Sequence, residues 1–163
     1  MEFSDLYAAC YGDVVAMAYA LTGDFADAQD VAQEAFCRTW QRWRQVSGYD
    51  EPVAWVKRVA ANLAISQARR RAVAKRFLLR QKEEHVPAVS ADHVALVAVL
   101  RELPEKTRRA VVLHYLADLP VATVADILGT SQGTVKSWLH RGRAMLGSRL
   151  ADSHIVREVN GNG

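Results

Sequence analysis

Apolar residues recur at helical spacing along most of the chain, and the strict alternation of a half-buried strand is absent. Phe3, Tyr7, Cys10, Val14, Ala18 and Leu21 mark one face of a first helix, which Thr22-Gly23-Asp24 stops. A second begins near Phe25 and turns Ala28, Val31, Ala32, Ala35, Phe36, Trp40 and Trp43 inward. Arg44 to Pro52 reads as a loop by its Ser-Gly-Tyr-Asp content, and Pro52 is suited to the first turn of a third helix. That helix carries Val53, Val56, Val59, Ala60 and Leu63 inward and runs into the charged stretch "ARRRAVAKRFLLRQK".

Glu83 to His93 has Pro, Ser and small residues without periodicity, the composition of a linker. Four further helical segments follow, "VALVAVLREL", "EKTRRAVVLHYLA", "VATVADIL" and "QGTVKSWLHRGRAMLGSRL", joined by very short turns. The expected fold is all-α: two small helical domains, 1–82 and 94–152, joined by a flexible linker over 83–93 and followed by a loose tail, 153–163.

Within the second unit, "ADILGTSQGTVKSWLHRGR" has the form of a helix-turn-helix. Gly129 can take the left-handed conformation that the turn requires, and the Ser131 hydroxyl can cap the next helix. Asp118 stands where it could cap the preceding one. Val135, Leu139, Gly142, Leu146 and Leu150 form the inward stripe of the second helix, leaving Lys136, Ser137, His140, Arg141 and Arg143 outward. Such a helix can lie in the major groove, with Ser131, Gln132, Gly133 and Thr134 at the end that meets base edges and phosphate. Trp138 sits one step from the stripe, so it either packs in the core or contacts DNA.

Charge divides the chain further. Residues 1–37 hold seven acids and no Lys or Arg, whereas residues 38–82 hold twelve Lys or Arg against Asp50 and Glu51. The first segment repels nucleic acid and the second attracts it. On the third helix Trp55, Arg58, Asn62, Ser66 and Arg69 follow spacings of three and four and so share a face. An aromatic plane, an amide and cations together are equipment for holding an unpaired strand. On the second helix Asp27, Asp30 and Glu34, flanked by Gln29 and Gln33, form an acidic face that is either solvated or docks a basic protein.

No run of apolar residues is long enough to span a membrane, and "MEFSDLYAAC" lacks the features of a signal peptide, so a cytoplasmic protein without membrane insertion is expected. Cys10 and Cys37 sit in apolar helical patterns, without the spacing of a metal site. The acid pairs lie on helix faces, the five histidines are scattered, and "GTSQG" lacks the Lys of a phosphate-binding loop; no catalytic, metal or cofactor set emerges.

In order and spacing, "LTGDFADAQDVAQEAFCRTWQRW", "EPVAWVKRVAANLAISQARRR" and "LRELPEKTRRAVVLHYLADLPVATVADILGTSQGTVKSWLHRGRAML" together resemble the extracytoplasmic-function sigma factors of bacterial RNA polymerase, in the sigma-70 family. The resemblance runs from about Phe3 to Leu150. It implies a promoter-melting domain, a linker and a helix-turn-helix domain without chemistry of their own. It further implies that Asp27, Asp30, Gln33 and Glu34 dock on the clamp helices of the largest subunit of core RNA polymerase. Trp55, Lys57, Arg58, Asn62, Ser66, Arg69 and Arg70 would capture the unpaired minus-10 strand. Ser131, Gln132, Gly133, Thr134, Lys136, Ser137, His140, Arg141 and Arg143 would contact the minus-35 duplex. An anti-sigma protein is a further implied partner.

Three positions depart from the family pattern: Ser66 replaces a common Asp, Gln29 a common Glu, and Trp138 a common Arg. The promoter sequence therefore does not follow by analogy. An autonomous helix-turn-helix regulator is the competing reading, but it gives no reason for an acidic helix followed by the Trp55 and Asn62 face.

Overall fold

The computed structural model describes residues 1–74 and 90–151, with side chains to Arg149. Among the described residues every regular element is helical. Helices α1 (Phe3–Thr22), α2 (Phe25–Gln41), α3 (Trp43–Val46) and α4 (Pro52–Ala74) form the N-terminal unit; α5 (Ala91–Arg101), α6 (Glu105–Val111), α7 (Val121–Leu128) and α8 (Gln132–Ala151) form the C-terminal one. Of the expected linker, 83–89 lies outside the described residues, as does the tail 153–163. The expected 90–93 portion of the linker is instead structured: Ser90 caps α5 by accepting from the His93 amide.

Local chemistry sets the boundaries. Gly23, at φ 71°, ends α1 in the left-handed conformation, and Asp24 then starts α2 by accepting from the Asp27 amide at 2.9 Å. The short α3 takes up part of the expected Arg44–Pro52 loop. Gly129, at φ 64°, ends α7, and the Thr130 amide donates to the Ala125 carbonyl. Asp118 does not cap α7, whose first residue follows Pro120; Asp118 itself is left-handed, φ 55°, and its carboxylate turns to α4.

After α6 the chain continues as a π-helical segment over Val112–Leu116, where the Ala117 amide reaches the Val112 carbonyl. The extra residue per turn keeps Val112 and Leu113 buried while placing Tyr115 at the surface.

The core is apolar and small-residue rich. Leu6, Val14, Met17 and Leu21 of α1 meet Ala28, Ala32, Ala35 and Phe36 of α2 and Val56, Ala60, Ala64 and Ile65 of α4. Alanines at the crossings let the three helices approach closely. The buried cluster continues through Val97 and Leu100 of α5 into Val112, Leu113, Val124, Val135 and Leu139. Tyr7 and Trp40, expected inside, are outside: Trp40 is 62% exposed, its indole edge-on to the Phe3 ring at 5.0 Å.

Candidate nucleic-acid interface

On α4, Arg58, Asn62, Ser66 and Arg69 all lie on the exposed side, with Arg70 beside them. Their separations of four, four and three residues place them within about a quarter turn of one another. The Asn62 side-chain amide donates to the Arg58 carbonyl at 3.1 Å, which orients it and leaves its oxygen outward. Trp55 is half-buried at the foot of this face. With Val59, Arg38, Gln41 and Arg42 it lines a hollow of about 300 Å³ between α2 and α4. An aromatic wall beneath two guanidinium groups suits a flat, electron-rich ring.

Lys57 does not join that face. One residue before Arg58 it points about 100° away, is largely buried, and its Nζ pairs with Asp118 Oδ2 of the C-terminal unit at 3.0 Å. Arg69 Nη2, at the far end of the face, donates to the Ile127 carbonyl at 3.4 Å.

The second basic surface belongs to α8. Ser131 Oγ accepts from the Thr134 amide at 3.2 Å and lies 2.9 Å from Thr134 Oγ1, so the helix starts with a cap and a pair of hydroxyls. Val135 and Leu139 are buried beneath, Gly142 meets α6, and Leu146 is partly buried. Gln132, Gly133, Lys136, Ser137, His140, Arg141 and Arg143 are exposed, and Thr134 is half-buried. Arg143 Nη1 donates to the Tyr115 hydroxyl at 2.7 Å, anchoring that guanidinium about three turns along the helix. Trp138 is half-buried: part of the ring packs on the core and part faces a cleft of about 450 Å³ shared with Arg69, Lys106, Arg109, Thr130 and Thr134.

Lys106 and Arg109 on α6, Arg38 on α2 and Arg42 at the C-terminal cap of α2 extend the two cationic surfaces beyond the residues marked in the sequence. Their spacings of three and four could have flagged them. Each, however, lies outside the motif that draws attention.

On α2, Asp30, Gln33 and Glu34 are exposed, with Glu34 Oε1 2.7 Å from Arg38 Nε. Asp27 does not belong with them. It is 8% exposed, and Arg71 Nε of α4 reaches its Oδ2 at 2.5 Å while Arg71 Nη1 holds Asp24 at 2.9 Å. Burial, and then the neighbouring Asp24, push the Asp27 carboxyl above its ordinary pKa, against the pull of Arg71. Asp27 thus joins α2 to α4.

Beside Gln33, the rings of Phe3, Tyr7, Phe36 and Trp40 line an apolar groove of about 400 Å³ that also exposes Cys37. Among the described residues there is no His, Cys, Asp and Glu grouping that could hold a metal ion, and no helix is long and apolar enough to cross a membrane.

Comparison with known proteins assigns each half separately. Residues 6–74 match the family Sigma-70 region 2, and residues 93–146 match Sigma-70, region 4. The chain is 32% identical over 163 residues to the RNA polymerase sigma-E factor of Streptomyces coelicolor, covering 98% of this chain and 90% of that one. It is 34% identical over 153 residues to the ECF RNA polymerase sigma factor SigE of Mycolicibacterium smegmatis, covering 85% of this chain but 57% of that protein. The chain therefore spans a little over half the length of that relative. The sigma factor RpoE of Bartonella quintana, solved in complex with the anti-sigma factor NepR, has the same fold at a TM-score of 0.64 and 22% identity, covering 91% of this chain and 96% of that one. With both regions matched in order and a full-length relative at this identity, the chain belongs to the extracytoplasmic-function sigma factors of the sigma-70 family.

Proposed function

We propose that this chain is an alternative sigma subunit that directs core RNA polymerase to specific promoters and opens them. The observation that carries the reading is the presence, in a chain with both sigma regions, of two separate cationic surfaces with different equipment. The α4 face offers an aromatic wall, an oriented amide and cations; the α8 face offers a capped helix start and a row of cations. The first suits an unstacked single strand, the second a duplex groove.

The roles follow from those surfaces. Trp55, Arg58, Asn62, Ser66, Arg69 and Arg70, with Arg38 and Arg42 added, hold the minus-10 strand; unstacking a base costs a few kcal/mol, which wall and backbone contacts offset. Gln132, Gly133, Thr134, Lys136, Ser137, His140 and Arg141 address the minus-35 duplex, and Arg143 with Ser131 supports them. Asp30, Gln33 and Glu34 dock on a basic surface of the polymerase, the clamp helices of its largest subunit. The factor works in the cytoplasm, makes and breaks no covalent bond itself, and is subject to capture by an anti-sigma protein, as its Bartonella relative is.

In-vitro transcription tests this. Purified chain and bacterial core polymerase on fragmented genomic DNA should give discrete starts sharing two upstream elements. Autonomous binding to one duplex site, with no starts, would replace the reading with that of a regulator.

A further inference from the structure

Four guanidinium groups converge where α1, α4, α5 and α6 meet. Arg71 of α4, Arg101 of α5, and Arg108 and Arg109 of α6 line a hollow of about 200 Å³, and Glu105 is the one carboxylate among the described residues around it. Asp24 and Asp27 answer Arg71 from outside the hollow, and Glu105 answers Arg109. Arg101 and Arg108 meet no carboxylate at ion-pair distance among the described residues.

These two are instead crowded together. Arg108 Nη1 donates to the Leu103 carbonyl at 3.1 Å and to that of Arg101 at 3.4 Å, while the Arg101 guanidinium lies over Gly23 at the end of α1. Nε of Arg108 and Nε of Arg109 are buried without a hydrogen-bond partner among the described residues. Burial, and then the nearby Arg101, pull the Arg108 guanidinium below its ordinary pKa. Half-buried like charges held this close cost free energy unless an anion sits among them.

The hollow narrows what that anion is. Guanidinium forks take phosphate oxygens two at a time, and several forks around one space ask for more oxygens than a carboxylate has. At about 30 Å³ each, roughly seven water-sized groups fill it, the number of oxygens in a pyrophosphate. Arg109 also lines the cleft that holds Trp138, which offers an aromatic surface to a nucleoside carried on the phosphates.

We propose that this hollow binds a diphosphate group, as free pyrophosphate or as the phosphate end of a nucleotide, through Arg71, Arg101, Arg108 and Arg109. The site is a property of the free chain and stands or falls apart from the sigma reading. Glu105 opposes the ligand by its charge and by occupying Arg109.

Calorimetric titration of the full chain with sodium pyrophosphate tests it, in about 0.15 M KCl, which screens diffuse charge beyond about 8 Å. One saturable site is expected, with sulfate binding about tenfold more weakly or worse. No saturable binding, or sulfate equal to pyrophosphate, would overturn the proposal. ADP is the second titrant: tighter binding than pyrophosphate assigns the site to a nucleotide, and weaker binding assigns it to the free ion. Arg101→Gln, at an exposed position, should weaken pyrophosphate binding about tenfold. Arg44→Gln makes the same charge change on α3, beyond the start of α4 and roughly 25 Å along that helix from Ala68, and should cost less than about twofold. Equal losses in the two would assign binding to overall charge and remove the site. Glu105→Gln should tighten binding about threefold by deleting a like charge, a gain that a loosened fold would not give. Weaker binding in Glu105→Gln would also overturn the proposal.

Discussion

Gly142 of α8 lies directly against Val111 of α6, with no space between the helices for even a methyl group: a Cβ at position 142 would overlap the Val111 side chain and stand 3.2 Å from Thr107 Cγ2. That contact fixes how deeply α8 sits on the C-terminal unit, and hence the tilt at which Lys136 and Arg141 are presented.

Gly142→Ala should accordingly destabilise the C-terminal unit by about 1–3 kcal/mol, the usual cost of overpacking a filled interior. Gly147→Ala is the comparison, since a Cβ there meets nothing within 4 Å, and Ala there should raise helix stability by a few tenths of a kcal/mol or more. Urea unfolding of both variants checks the pair. An unchanged midpoint for Gly142→Ala would mean that α8 shifts on α6 without cost.

Asp27 and Arg71 give a pH-dependent prediction. The folded Asp27 carboxyl titrates above its unfolded value, so it binds more protons folded than unfolded. Its contribution to stability is complete below the ordinary Asp range and is lost as pH rises through the raised folded value. Asp27→Asn should therefore gain on the parent protein as pH rises from about 4 to 7. Asp27→Ala, which keeps the backbone amide that Asp24 caps but leaves Arg71 with Asp24 alone, should cost about 1–2 kcal/mol, less than a fully buried pair because Arg71 is 35% exposed. Thermal unfolding of both variants across that pH range provides the check.

The sequence is most legible where a single residue imposes a local geometry. Gly129, Ser131 and Pro52 mark their helix ends because each supplies a conformation or a cap that other residues supply poorly. The α1, α4 and α8 stripes are legible through period 3.6. Illegible features depend on partners distant in sequence. Asp27 shares the helical period of Asp30 and Glu34, and only the arrival of Arg71 from α4 makes it an interior residue. Trp40 fits the apolar stripe of α2 yet faces outward at the helix end, where its ring meets that of Phe3. Lys57 reads as one more cation of a basic stretch until Asp118, 61 residues later, takes it. The π-helical segment hides in an apolar run compatible with either helix type.

The two cysteines should behave differently. Cys10 is buried, its thiol donates to the Leu6 carbonyl at 3.1 Å, and burial with the nearby Asp13 pushes its pKa to about 11. Only the thiolate attacks, so Cys10 should be inert at pH 8 in the folded protein, while exposed Cys37 reacts. Titration with a disulfide reagent should find one reactive thiol in the native chain and two in denaturant. Fast reaction of both would show that α1 opens.

The final prediction separates the two basic surfaces. Trp55→Ala and Asn62→Ala should slow or abolish promoter opening, read by permanganate reactivity of unpaired thymines, while sparing the closed complex. Losing a stacking plane should cost about 1–3 kcal/mol of single-strand affinity. Lys136→Ala and Arg141→Ala should weaken duplex binding across sequences and reduce the salt slope by about one each, because each removes one phosphate partner. Arg143→Ala should do less than either, since Arg143 spends one guanidinium donor on Tyr115. Footprinting over a salt series, with permanganate probing in the same reactions, reads both steps. Equal loss of opening and closed-complex binding in Asn62→Ala would place that amide on the duplex and dissolve the division of labour between α4 and α8.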